Sequence, residues 1–204
     1  MIRILSVDDH PLLREGIAGL IGRQADMELV AEASNGREAL DQFRAHRPDV
    51  TLMDLQMPEM SGIDAISAIR SEFPEARLII LTTHAGDVQV SRALKAGARA
   101  YLLKGLLRKE LLETIRAVHA GQKRVSPEIA AEIAEHAVAE ALTPREVDVL
   151  RLVAGGNANK EIAARLSLTE ETVKSHIRNT LGKLGANDRT HAVAIGLKRG
   201  IIEL

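Results

Sequence analysis

The first 120 residues alternate between short apolar runs and longer amphipathic stretches. The apolar runs predicted as buried strands are Ile2–Val7, Leu29–Ala33, Val50–Met53, Leu78–Leu81 and Ala100–Leu103. The stretches between them place apolar residues at the spacing of helices. Near-continuous apolar strands that alternate with helices indicate βαβ units and a parallel sheet covered on both faces. We therefore predict an α/β domain over residues 1–120, built on a five-stranded, doubly wound parallel sheet.

The pattern changes after Ala120. Gly121–Arg124 breaks the last helix of the α/β domain, and Ser126–Pro127 supplies the start of another. The stretch Glu128–Ala141 is rich in Ala and Glu and is predicted as a helix. We interpret residues 121–141 as a linker, largely helical, that acts as a spacer rather than as a dedicated signalling element.

No strand pattern remains from Leu142 onward. Thr143 and Glu146 form a capping box around Pro144, with Leu142 and Val147 placed as a hydrophobic staple. The helix that starts there is predicted to end at Gly155–Gly156. Asn159 is predicted to cap a short helix that runs to Leu166, and Thr169 a longer one that runs to about Leu184. A last helix is predicted to begin at Asn187–Asp188. Residues 142–204 are therefore predicted as a second, smaller, all-α domain.

Composition narrows the possible functions. The 204 residues are 46% hydrophobic and 27% charged, which is ordinary for a folded protein and excludes disorder. Cysteine is absent, which excludes disulfides, thiolate catalysis and Cys-ligated zinc. The aromatic residues are Phe43, Phe73 and Tyr101, too few for stacking on single-stranded nucleic acid. With neither an apolar run that could span a membrane nor a signal-peptide pattern, we expect a cytoplasmic protein.

Charge is divided unevenly between the two predicted domains. Residues 1–142 hold 17 Lys and Arg against 21 Asp and Glu, whereas residues 143–204 hold 10 against 7, a net charge of +3. Modest positive charge permits contacts with phosphate groups but is by itself weak support for nucleic-acid binding.

Carboxylates follow two strands that are neighbours in a sheet of order 2-1-3-4-5. Asp8 and Asp9 come directly after the first strand, and Asp54 after the third. Because ligands bind outside the carboxyl ends of such strands, we expect the three acids to converge. Clustered carboxylate oxygens with open positions suit Mg²⁺. The simpler alternative is a solvated acidic loop with no bound ion.

Two further polar groups are expected at the same edge of the sheet. Thr82 ends the fourth strand and Lys104 follows the fifth. A hydroxyl and an ammonium beside a divalent cation would stabilise a phosphoryl group during its transfer to a carboxylate. Asp54 is the predicted nucleophile, because Asp8 and Asp9 are placed to hold the metal.

The segments VDDHPLLREGI, LMDLQMPEMSGIDA, LTTH and GARAYLLK resemble the receiver domain of two-component response regulators, a flavodoxin-like fold. The resemblance implies that a sensor histidine kinase phosphorylates Asp54 and that Lys104 pairs with the phosphoryl group. It also implies that Asp8, Asp9, Asp54 and the backbone carbonyl of Gln56 bind Mg²⁺, and that Thr82 and Tyr101 form a switch pair in which Tyr101 turns inward. Many receivers have Pro after the lysine, where this chain has Gly105; with the DDHP start, this is similar to the NarL/FixJ family.

The segment from Asn159 to Leu166, the turn Ser167–Leu168 and the helix after Thr169 match a helix-turn-helix. Apolar residues at helical spacing in the second helix leave Lys174, Ser175 and Arg178 facing outward on its first half, the part that enters a major groove. The segments LTPREVDVLRLVAGG, NKEIAARL, TEETVKSHIRNTLGKL and DRTHAV resemble a LuxR-type DNA-binding domain. The resemblance implies groove contacts by Lys174, Ser175 and Arg178, a backbone contact by Lys160, and a dimer contact by the helix Asp188–Arg199.

We therefore predict a phosphorylation-dependent transcriptional regulator rather than an enzyme. Its expected partners are a sensor histidine kinase, double-stranded promoter DNA, a second copy of the chain when phosphorylated or on DNA, and RNA polymerase. An alternative is a Mg²⁺-dependent phosphohydrolase with an aspartyl-phosphate intermediate, but Gln56 stands where such enzymes commonly have a second Asp. A phosphorylation-independent interaction module is the other alternative. His10 adjoins the acids, yet the 7 histidines lack ligand spacing, so no histidine is expected to bind metal.

Overall fold

The computed structural model describes residues 1–83, 86–125, 130 and 140–202. The chain divides into two compact units. The first takes in Met1–Ala85 and Val90–Ala130, and the second takes in Gly86–Gln89 and Ala131–Leu204. Each unit is described by itself below.

The first unit is built on a parallel sheet in which the strand order is β2-β1-β3-β4-β5-β6. The strands are β1 Ile2–Val7, β2 Met27–Ala33, β3 Val50–Asp54, β4 Leu78–Thr82, β5 Ala100–Leu103 and β6 Arg124–Val125. The sheet confirms the predicted fold class and the order of the first five strands. The sixth strand was not expected, because two residues carry no periodic pattern. Arg124 and Val125 pair with Ala100 and Tyr101 and so cover the edge of β5.

Five helices connect the strands of the sheet. They are α1 Pro11–Ile21, α2 Gly36–His46, α3 Gly62–Glu72, α4 Asp87–Ala96 and α5 Leu107–His119, the last preceded by a short 3₁₀ turn, Lys104–Leu106. One core cluster joins α1 and α5 to the sheet and includes the fully buried Ile21, Leu52 and Ile115. Each such side chain contributes about 1.5 to 3 kcal/mol through its removal from water. The core fixes the strands, and therefore the positions of the residues that follow their carboxyl ends.

The second unit is helical, as predicted. Its helices are α6 Pro144–Ala154, α7 Asn159–Leu166, α8 Glu170–Leu184 and α9 Arg189–Lys198. The capping box at the start of α6 is present: the Glu146 carboxylate accepts from the Thr143 N–H at 2.8 Å, and the Thr143 hydroxyl accepts from the Glu146 N–H. Two clusters around Val149 and Leu150 form the core of this unit.

One sequence prediction about this unit is wrong in detail. Ala158, not Asn159, is the N-cap of α7, because the Glu161 carboxylate accepts from the Ala158 N–H at 2.7 Å and Asn159 is already helical. Gly182 lies inside α8, which continues to Leu184 and ends at Gly185 with φ of 61°. The flanking Leu181 and Leu184 pack on the core of the unit, which outweighs the cost of about 1 kcal/mol for a glycine inside a helix.

Most of the predicted linker helix lies outside the described residues, as do Ser126–Pro127 and His84 of the LTTH segment. Glu140 and Ala141 are described and are not helical, so the helix does not extend to Ala141 as predicted. No helix within the described residues is long and apolar enough to span a bilayer.

Candidate functional site

Asp8 and Asp54 lie side by side at one edge of the sheet. Val7, the last residue of β1, is paired with Met53 of β3, so the residues after them meet at the carboxyl ends of the two strands. Both carboxylates are buried. The structure thus brings together the acids that the strand pattern predicted to converge.

Lys104 lies between these two carboxylates. Its Nζ is 2.8 Å from Asp54 Oδ2, to which it donates a hydrogen bond, and 2.8 Å from Asp8 Oδ2. The side chain starts at the end of β5, two strands away, and is 11% exposed. One buried ammonium can balance the charge of one buried carboxylate, but Lys104 is shared by two, Asp8 and Asp54.

This arrangement raises the pKa of both Asp54 and Lys104. Burial raises the pKa of Asp54, and the charge of Asp8 adds to the rise, while Lys104 and the Leu55 N–H act against it. Burial alone would lower the pKa of Lys104, but the hydrogen bonds and charges of Asp54 and Asp8 outweigh it and raise that pKa. Asp54 is therefore a more basic carboxylate than an exposed one, a property that suits a nucleophile.

The donor set fits a divalent cation. Ligand atoms of Asp8, Asp9, His10 and Asp54 all lie within 4.8 Å of one another. Asp8 Oδ2 is buried, with Lys104 Nζ 2.8 Å away as its charged neighbour. Carboxylate oxygens of this kind are the ligands that Mg²⁺ prefers. Gln56, whose carbonyl is the fourth predicted ligand, lies two residues beyond β3 and is exposed.

Thr82 and Tyr101, the predicted switch pair, lie on the adjacent strands β4 and β5. Thr82 ends β4 and is buried, and Tyr101 is only 1% exposed. The Tyr101 ring lies inside, in the inward position that the switch pair requires, and its movement on phosphorylation stays a prediction.

Gly62, at the start of α3, is a supporting residue that the sequence analysis did not identify. A Cβ at this position would collide with the backbone carbonyl of Asp54. The Gly62 N–H donates to the Leu55 carbonyl at 3.0 Å and ties the loop back to the end of β3. The SG pair in the segment MPEMSG was the available indication, since glycine permits a close approach of two backbones.

In the second unit, α8 presents its predicted residues to solvent. Lys174, Ser175 and Arg178 are exposed, whereas Val173 is buried in the core. The start of the helix is fixed by the Thr169 hydroxyl, which accepts from the Thr172 N–H at 3.2 Å. Ser167, in the left-handed region with φ of 55°, makes the tight turn from α7. The helix-turn-helix geometry is therefore present, with the predicted polar residues on its outer face.

Lys160 is exposed in the first turn of α7. A cation there does not stabilise its own helix, because the N-terminal end of a helix carries partial positive charge. The same end attracts anions through its unpaired N–H groups. The contact of Lys160 with a phosphate group stays a prediction.

Two family models match the chain. Residues 4–116 match the response regulator receiver domain, and residues 140–195 match the bacterial regulatory proteins of the luxR family. Together they span the sheet-edge acids and the helix-turn-helix.

Similar proteins share both halves. The uncharacterized transcriptional regulatory protein YhcZ of Bacillus subtilis is 41% identical over 97% of this chain and 96% of its own length. The response regulator protein VraR of Staphylococcus aureus is 36% identical over 99% of both chains. The solved RcsB response regulator of Salmonella typhimurium is 24% identical, covers 95% of this chain and 98% of its own, and has a TM-score of 0.73, which supports the fold. The chain therefore belongs to the LuxR-family response regulators, with a receiver domain followed by a LuxR-type DNA-binding domain.

Proposed function

We propose that Asp54 accepts a phosphoryl group from a sensor histidine kinase and that this modification controls promoter binding by the helix-turn-helix domain. The observation that supports this most directly is the buried Asp54 carboxylate, 2.8 Å from Lys104 and beside Asp8. The family supports the same assignment, because a receiver domain implies a histidine kinase partner.

In the proposed transfer, an Asp54 carboxylate oxygen forms a bond to phosphorus while the P–N bond of a phosphohistidine breaks, and the imidazole nitrogen leaves with the electron pair. Lys104 would move from its contact with the carboxylate to the new phosphoryl oxygens. Asp8, Asp9, Asp54 and the Gln56 carbonyl would hold Mg²⁺, which supplies charge neutralisation at the phosphoryl group when bound.

Thr82 and Tyr101 are the proposed switch pair. A phosphoryl group adds about −1.5 to −2 charges at Asp54, and the Thr82 hydroxyl at the next strand end would turn towards it. Tyr101, on the adjacent strand, would fill the space that Thr82 leaves, and the altered surface would arise from this pair. That altered face would then support a homodimer.

For the second domain, we propose that Lys174, Ser175 and Arg178 contact the major groove and Lys160 contacts the phosphate backbone. Their exposure on α8 and at the start of α7 supports these roles. RcsB has been solved as dimers bound to DNA, which supports paired half-sites for the fold. A dimer formed through α9 and an interaction with RNA polymerase complete the proposed set of partners.

Mass spectrometry of the full chain, incubated with a small phosphodonor and Mg²⁺, tests the receiver assignment. We expect one phosphoryl group on the wild type and none on Asp54→Asn. Asp41→Asn, which changes an exposed acid on α2, is the matched control and should label normally. Lys104→Ala should keep the acceptor but weaken the response of DNA binding. Labelling of Asp54→Asn on another aspartate would show that the site is wrongly assigned.

The same experiment separates the two alternatives. A phosphohydrolase would turn over the phosphodonor repeatedly, and a phosphorylation-independent module would gain no mass. Gln56 offers no acid for the second step of a hydrolase, so we expect a stoichiometric, persistent adduct.

A further inference from the structure

His10, which adjoins the acids in the sequence but was not expected to bind metal, lies beside the acidic cluster. Its Nδ1 is 2.7 Å from Asp9 Oδ1 and 3.1 Å from Asp8 Oδ1. Within the described residues, this is the group of histidine and carboxylate side chains whose ligand atoms approach closely enough to share one ion.

These separations match those of neighbouring ligands around one ion. Metal–ligand bonds of about 2.1 Å at right angles place adjacent ligand atoms about 3.0 Å apart. The Asp9 Oδ1 atom is buried, and its 2.7 Å approach to Nδ1 does not have hydrogen-bond geometry. A cation that accepts a lone pair from each of these atoms would account for so close an approach.

The backbone also holds the imidazole in place. The His10 N–H donates to Asp8 Oδ1 at 2.9 Å, and His10 is the N-cap of α1, immediately before Pro11. The side chain itself is 68% exposed, so it is open to an ion arriving from solvent. The exposed His10 ring and the largely buried Lys104 side chain therefore both contact the carboxylates, and the main chain of His10 is held by a hydrogen bond.

We infer that His10 is a further ligand of the receiver cation site and raises its affinity for borderline first-row cations, such as Mn²⁺ and Co²⁺, relative to its affinity for Mg²⁺. Imidazole nitrogen binds these ions well, whereas Mg²⁺ prefers oxygen and retains its water. The inference rests on the proposed function, in which the carboxylates hold a divalent cation. It adds that the identity of the ion is set by a residue outside the carboxylate set.

A purely structural role for His10 is the competing explanation. In that case Nδ1–H donates only to Asp8 Oδ1, at 3.1 Å, and steadies the loop before α1. Replacement of His10 would then change the affinity for every cation by the same factor. A ligand role instead predicts a loss graded by the affinity of each metal for nitrogen, which increases from Mn²⁺ to Co²⁺.

The test is calorimetric titration of the full chain with Mg²⁺, Mn²⁺ and Co²⁺ for the wild type, His10→Gln and His119→Gln. His119, an exposed residue at the end of α5, is the matched control. We expect His10→Gln to lower affinity about tenfold for Co²⁺ and about threefold for Mn²⁺ with little change for Mg²⁺, and His119→Gln to change none of them. Equal factors for all three ions would overturn the inference.

Pulsed electron paramagnetic resonance of bound Mn²⁺ provides an independent measurement. The wild type and His119→Gln should show coupling to an imidazole nitrogen, and His10→Gln should lose it. Absence of nitrogen coupling in the wild type would also overturn the inference. Asp9→Asn tests the proposed cation site itself: if it binds all three ions as tightly as the wild type, the carboxylate site is wrong, whatever the role of His10.

Discussion

Asp54 in the receiver and Glu146 in the helical domain are both buried carboxylates that accept a hydrogen bond from a lysine at about the same distance, 2.8 Å and 3.0 Å. Their pKa values nevertheless move in opposite directions. Burial raises the pKa of Asp54, and Lys104 does not reverse the rise. Burial also acts to raise the pKa of Glu146, but the Thr143 N–H and Lys183 outweigh it, and that pKa is lowered.

The two pKa values move in opposite directions because the two lysines are shared with different second carboxylates. Lys104 is divided between Asp54 and the fully buried Asp8, so the first domain holds two buried carboxylates against one ammonium. Lys183 is also shared, but its second carboxylate partner, Glu140, is exposed and remains solvated. Glu146 in addition accepts from the backbone at the start of α6.

An under-compensated charge therefore marks the proposed phosphorylation site, and a compensated one marks a structural carboxylate. The excess negative charge around Asp54 leaves room for a cation and a phosphoryl group, at a cost to stability. Glu146 instead joins the start of α6 to the end of α8. The following predictions test this contrast in order of decreasing expected effect.

Lys104→Met should give the largest loss of stability. It leaves Asp8 and Asp54 buried without a cation, and we expect the free energy of unfolding of the receiver to fall by about 3 kcal/mol in the presence of a chelator. Added Mg²⁺ should recover part of the loss, because it replaces the positive charge. Urea denaturation, monitored by hydrogen exchange of the β1 and β3 amides, measures the stability of the receiver with and without Mg²⁺.

Lys109→Met, which changes an exposed lysine on α5, is the control and should be neutral. A Lys104→Met protein as stable as the wild type without metal would mean that Lys104 does not compensate the acids. The contrast with Glu146 would then have another cause.

Glu146→Gln should destabilise the helical domain by about 2 kcal/mol, because it removes the charge from a buried pair and weakens a capping box. Glu161→Gln is the matched change: Glu161 holds the same position in α7 but is exposed, and we expect a loss of about 0.5 kcal/mol. Hydrogen exchange of the α6 and α7 amides distinguishes the two sites. Equal losses would show that capping, not the Lys183 pair, determines the role of Glu146.

On DNA, Arg178→Ala should cost about 1.5 kcal/mol with a cognate site and relax the base preference at one position. Lys160→Ala should weaken binding to cognate and scrambled duplexes alike and lower the salt slope by about 1. Binding isotherms over a salt series measure both, with the receiver variant Arg23→Ala as the control. Undiminished affinity in both variants would refute the proposed placement of α8 in the groove.

The sequence was sufficient for features that depend on one strand or helix at a time. Strands β1 and β5 have their predicted ends, and Thr143, Thr169 and Asp188 cap the helices that they were predicted to begin. The convergence of Asp8 and Asp54 followed from strand order alone, because parallel strands end at the same edge.

Features that depend on packing between elements were not predictable in this way. The sharing of Lys104 by two acids and the contact of Lys183 with Glu146 involve residues 50 and 37 positions apart, with no periodic pattern to connect them. The buried position of Tyr101 and the short strand β6 likewise depend on neighbouring chain. His10 was discounted because the histidines lack ligand spacing, whereas the neighbours of His10 are carboxylates.

The pH dependence of the helical domain gives the smallest and most specific test. Because the pKa of Glu146 is lower in the folded chain, its ionised form stabilises the fold at pH values above its unfolded pKa of about 4.3. This contribution is lost progressively as the pH falls from there through the lower, folded pKa. The difference in stability between the wild type and Glu146→Gln should therefore be constant near neutral pH and shrink below about pH 4. Hydrogen exchange of the α6 amides in both proteins measures that difference, and the receiver acids titrate in the same way in both. A stability difference that stays constant or widens on acidification would show that Glu146 is not the compensated carboxylate of the Glu146–Lys183 pair.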